Sequence, residues 1–235
     1  MEAQPSEQAL QEGFSRIEAA LERGDGDLRA LGFWRLVGEA KRRPELADRW
    51  ADRIGAIDRR AFELGVRSRF PVWFGNAVLL LEALVGAAAV VFAMQAGPTA
   101  AALGLLVAGV AWSIATHCLA HYVVGRAVGI RFTNYFVGGP FPPRPGLKID
   151  YASYLRVPPG SRALMHASGA IATKVAPFVA LAFAPATDAR WWGPAGLVVL
   201  GALQIVTDLL FSVRSSDWKK VKRERAIARA WSSER

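Results

Sequence analysis

Apolar positions gather into four stretches, Asn76–Gln95, Ala100–Gly125, Ala163–Pro185 and Gly193–Val213. Each is close to the roughly 20 residues that a hydrocarbon core of about 30 Å requires. Ahead of them the apolar residues recur at helical spacing. Leu10, Phe14, Ile17 and Leu21 form one stripe, ended by Gly24-Asp25-Gly26. Asp27 can cap a second helix bearing Leu31, Trp34 and Val37, and Pro44 can start a third bearing Leu46, Trp50, Ile54 and Ile57. Between the second and third apolar stretches Ile130–Val137 has strand character and Gly138-Gly139-Pro140 breaks it. Pro142, Pro143, Pro145, Pro158 and Pro159 then exclude a long helix. The pattern predicts an all-α membrane protein of four transmembrane helices. A cytoplasmic helical cap covers residues 1–70, the membrane domain residues 71–213 and a basic tail residues 214–235. The connection between spans two and three is a short strand or hairpin followed by an extended segment lying against the membrane.

Composition sharpens the membrane reading. With 52% hydrophobic residues and a mean hydropathy of +0.21, the chain is too apolar for an ordinary soluble protein. The net charge of +9 is unevenly placed. Residues 1–70 carry 13 Lys+Arg and 13 Asp+Glu, residues 126–162 six and one, and residues 212–235 eight and three. The short turns between spans one and two and between spans three and four carry no net charge. Positive residues stay on the cytoplasmic side, so both termini and the central connection are expected there, in a multi-pass protein of the inner cell membrane. The lipid bilayer, not nucleic acid, is the partner this basicity implies. Trp73, Phe74, Trp191, Trp192 and Trp218 fall where interfacial aromatic belts form. The Met1 end has no apolar run of a signal peptide. Cys118 is the only cysteine, so no internal disulfide is expected.

His117 and His121 lie one helical turn apart within the second span and point the same way, the spacing a divalent metal needs. At 1.5 Å per residue, Asp208 and His166 come out at about the same depth as the pair, near the cytoplasmic boundary. Glu82 and Lys174 come out deeper and are expected to neutralise one another as an intramembrane ion pair. Two imidazoles and one carboxylate with a fourth position open is a catalytic zinc arrangement. The expected metal ligands are therefore His117, His121 and Asp208, with zinc as the cofactor and His166 a neighbouring support. The plainer alternative is that the histidines only hydrogen-bond neighbouring helices.

The run from His117 through Cys118, His121, Gly125 and Gly129-Ile130-Arg131 to Phe132 resembles the first signature of the site-2 protease family of intramembrane zinc metalloproteases. Met165-His166-Ala167-Ser168-Gly169-Ala170 resembles the family's next span, whose glycine lets helices approach, and Asp208 in Gln204-Ile205-Val206-Thr207-Asp208 matches its third zinc ligand. The resemblance covers roughly residues 100–220. It implies a zinc-site core of three spans that cleaves membrane proteins. Cys118, however, stands where the family places its general-base glutamate. Leu209 replaces a glycine, Thr173 stands at a common asparagine position, and the Asn and Pro usually upstream of the last Asp are missing. Losing a positioned base typically costs about 100- to 10,000-fold in rate.

Three functions follow as expectations. The first is a site-2-protease-like scaffold with proteolysis lost or altered, binding a transmembrane helix of another membrane protein. The second is a working intramembrane metalloprotease with His166 as base. The third is an accessory subunit of a membrane complex, with the histidines free or ligating haem or a chlorophyll-like pigment. Two histidines on adjacent turns of one helix cannot be both axial ligands of one haem, which argues against the haem form.

Overall fold

The computed structural model describes residues 7–138, 144–210 and 216–233. In chain order its elements are α1 (Glu7–Glu22), α2 (Phe33–Ala40), α3 (Pro44–Gly65), β1 (Ser68–Pro71), α4 (Val72–Ala93), α5 (Pro98–Ala127), β2 (Phe132–Gly138), β3 (Arg144–Ile149), α6 (Tyr151–Arg156), α7 (Pro159–Leu181), α8 (Trp192–Leu210) and α9 (Asp217–Ser233). They form two compact units, one of Met1–Pro71, Val128–Arg162 and Glu224–Arg235, the other of Val72–Ala127 and Ala163–Arg223.

In the first unit, α1 buries the expected Leu10, Phe14, Ile17 and Leu21. Proline at the first turn opens α3, which buries Leu46, Trp50, Ile54 and Ile57. Phe14 sits between them, its ring 5.3 Å from Trp50 and 6.3 Å from Phe33. The second helix departs from expectation. Asp27 does accept the N–H groups of Arg29 and Ala30, but it caps only a turn. The helix itself starts after Gly32, held at φ 74, and buries Phe33, Leu36, Val37 and Ala40, leaving Trp34 45% exposed. The buried stripe therefore runs through Phe33, Leu36 and Ala40 in place of Leu31 and Trp34, with Val37 common to both.

The connection forms an antiparallel three-stranded sheet in the order β1-β2-β3. Its β1 lies in a stretch that the sequence pattern assigns to the cap's edge. The expected breaker Gly139-Pro140 and Pro142-Pro143 fall outside the described residues. Beyond β3 the chain is helical rather than extended. α6 packs on α3, where a Cβ at Gly55 would come within 2.8 Å of Ala152, so only glycine allows that approach. Pro158 and Pro159 separate two helices instead of excluding them, since proline suits a first helical turn.

The later part of α9 is an ordered element of this unit. Glu224, 3% exposed, binds Lys41, accepts the Tyr154 hydroxyl at 2.9 Å and faces Arg162 at 3.2 Å. Arg162, wholly buried, lies 5.4 Å from the Tyr154 ring and 5.5 Å from that of Trp231. Charges this deep persist only when paired.

In the second unit α4, α5 and the helical stretch Pro159–Ala186 are each long and apolar enough to cross a membrane; Trp192–Asp208 is a shorter apolar helix. Residues 211–213 of the expected fourth span fall outside the described residues. Small residues let these helices close on one another, the pattern of packing within lipid. Gly86 receives the Trp112 indole, whose N–H donates to the Ala83 carbonyl at 3.0 Å. Gly193 meets Ala102, and Gly201 meets the Phe178 ring. Val90, Ala93, Ala101, Leu105, Ala108, Ala180 and Leu197 form the core.

Candidate metal centre

α5 carries His117 and His121 on adjacent turns, their rings 4.7 Å apart and nearly perpendicular. α7 runs beside them because Gly169 offers no side chain. A Cβ there would fall on the His121 imidazole. The close approach brings two backbone carbonyls to the rings. His121 Nδ1 lies 2.7 Å from the Met165 carbonyl. His117 Nδ1 lies 3.2 Å from the Gly169 carbonyl and 2.9 Å from the Thr173 hydroxyl. A carbonyl oxygen only accepts, so each Nδ1 carries the hydrogen and donates it. In the neutral rings both Nε2 atoms are then left as lone pairs.

Those lone pairs face a carboxylate. Asp217 Oδ2 is 3.2 Å from His121 Nε2 and 3.6 Å from His117 Nε2. Donor atoms of the three residues lie within 4.8 Å of one another. Asp217 opens α9, and this end of the helix is seated by Trp218 and buried Val221 against Ala163 and Ala167 of α7. Its other oxygen accepts from Lys220 at 2.9 Å, and His166 Nδ1 stands 3.8 Å away.

Two neutral imidazole nitrogens and a carboxylate oxygen are all acceptors, and acceptors held this close repel unless a cation lies between them. Bonds of about 2.0–2.2 Å to a tetrahedral ion would put ligand atoms roughly 3.3 Å apart. The two Asp217–imidazole separations, 3.2 and 3.6 Å, bracket that figure. The Nδ1 donations are the outer hydrogen bonds that fix metal-ligating histidines in place. The residues therefore fit a divalent ion. The His117 side chain is 38% exposed against 12% for His121 and 14% for Asp217, so the open side lies at His117.

The placement of the sequence candidates corrects two expectations. Asp208, expected as third ligand, is instead bound to Lys174, which also donates to the Ala170 carbonyl at 3.1 Å. Glu82, expected to pair with Lys174, has no ion pair or hydrogen bond among the described residues and lines a groove on α4 and α5. Depth along the membrane normal was one coordinate of three. A lysine stem reaches several ångströms along the membrane, and Lys174 spans the offset to Asp208. Asp217 was missed because it lies beyond the last span in a basic stretch. The available signal was an acid at the start of a helical run, where carboxylates are favoured. Cys118 is a half-buried free thiol outside the three-residue cluster. His166 is 5% exposed, with its ring 6.3 Å from that of His121.

No protein-family model, curated protein or solved structure matches this chain.

Proposed function

We propose that this chain is a multi-pass membrane protein that holds zinc at His117, His121 and Asp217 and resembles the site-2 proteases, with their proteolysis lost or altered. The observation that carries the reading is the convergence of two imidazole lone pairs on one carboxylate oxygen, each ring fixed by a carbonyl of the facing helix. Zinc suits this donor set of two nitrogens and one oxygen. Bound there, it would supply Lewis acidity that makes water reactive near neutral pH.

The chain's own residues do the rest. Met165 and Gly169 orient the rings through their carbonyls. Lys220 restrains the free oxygen of Asp217 so that the other oxygen faces the histidines. Cys118 stands one residue from His117 where a general base is needed. A thiol is shorter than a glutamate and a poor acceptor of the proton that hydrolysis must move. A third ligand drawn from α9 also departs from the family pattern, in which position 208 would serve.

α8 completes a fourth crossing, with the cap and tail on the cytoplasmic side of the inner membrane. The skew of basic residues toward the termini and the central connection supports that orientation. The occupant of the former substrate position is a transmembrane helix of another membrane protein.

Restoring the missing base tests the catalytic part. Cys118→Glu, co-expressed with a single-pass membrane reporter, is expected to cleave it where the unaltered chain leaves it intact. Cleavage by the unaltered chain that disappears in Asp217→Ala would establish a working protease instead.

A further inference from the structure

α4 and α5 carry a second chemical feature, separate from the histidine pair. Glu82 lies 10 residues after Val72 and 11 before Ala93, so it sits about 15 Å from either end of a helix that crosses the bilayer. That is mid-membrane, where an ionisable side chain is costly and normally finds a partner. Among the described residues it has no ion pair or hydrogen bond, because Lys174 is taken by Asp208.

Its surroundings are apolar. Val78, Leu81 and Val85 stand on the same face of α4 as Glu82, at the spacing of one ridge. With Val107, Val110 and Ala111 of α5 they line an open groove of about 620 Å³. Leu81 is 63% exposed and Val85 50%. An apolar lining with one acid at its centre matches an apolar helix with one cation at its centre. A second copy of this chain is a poor occupant, since its one mid-span cation, Lys174, is already engaged.

We infer that the groove formed by Val78, Leu81, Glu82, Val85, Val107 and Val110 docks a single transmembrane helix of another protein that bears lysine or arginine near its midpoint, paired with Glu82. This goes beyond the proposed partner-binding role, because the groove contains none of the metal-site residues. It rests on the membrane-spanning reading of α4 and α5 and not on the metal.

The test uses the full chain, fluorescently labelled and reconstituted in phosphatidylcholine vesicles, with acceptor-labelled polyleucine transmembrane peptides of about 20 residues. One peptide carries a central lysine and the other is all leucine. Energy transfer should show the lysine peptide associating about tenfold more tightly than its leucine counterpart. Glu82→Leu should bring the two peptides to equality while keeping the metal content of the unaltered chain. Leucine favours insertion at this depth, so the variant folds. Equal association of both peptides with the unaltered chain would overturn the inference. A lysine preference that survives Glu82→Leu, or that is lost only in Asp208→Asn, would overturn it as well. Energy transfer between two labelled copies that is abolished by Glu82→Leu would assign the groove to self-association and overturn it too. None of these outcomes touches the zinc reading, which fails only on metal content.

Discussion

Asp217→Ala is expected to abolish metal binding, whereas Asp208→Asn leaves it intact. Removing Asp217 takes away the one negative donor, and no other acid among the described residues clusters with the two imidazoles. Losing an outer hydrogen-bond partner of a metal ligand already costs about 10- to 100-fold in affinity. Loss of the ligand itself should exceed that and reduce bound metal below detection after gel filtration. Asp208→Asn strips Lys174 of its ion partner and is expected to lower thermal stability, yet it touches no donor atom of the cluster. Metal analysis of the two purified variants separates the carboxylate that the family resemblance implied from the one that the geometry supplies.

Gly169→Val is expected to have the next largest effect. The first atom of any side chain at 169 falls on the His121 ring. That ring must turn away, breaking its bond to the Met165 carbonyl and swinging Nε2 off Asp217. Overpacking of this kind typically costs about 1–3 kcal/mol of stability. The larger consequence is loss of metal, because the His121 donor is misaimed. Gly160→Ala is the control within the same helix, since nothing lies within 4 Å of a Cβ there. Thermal unfolding in detergent and metal content should leave Gly160→Ala at the level of the unaltered chain and depress both in Gly169→Val.

Much of this fold was legible from period and length. The stripe of Leu10, Phe14, Ile17 and Leu21, the start at Pro44 and the long apolar runs at α4, α5 and α7 are local signals, written in consecutive turns. The histidine pair was legible for the same reason, since i and i+4 on one helix need no knowledge of the neighbours. Asp217 was not, because its role depends on how α9 returns to α7 through Trp218 and Val221, a long-range packing event. The pairing of Lys174 with Asp208 was hidden likewise. Composition marks both as costly within a membrane, but only the azimuth of each helix decides which charges meet. β1 escaped notice because four residues, Ser68–Pro71, are too few to show a strand's alternation. The Gly169 contact was half visible. A glycine in a span suggests close approach, but not that the approaching group is an imidazole.

The most direct measurement is the zinc bound per chain after loading and removal of free ion, with the coordination read by X-ray absorption. The account predicts close to one equivalent, held by two imidazole nitrogens and a carboxylate oxygen at about 2.0–2.2 Å. Protein that remains metal-free at saturating zinc would contradict it.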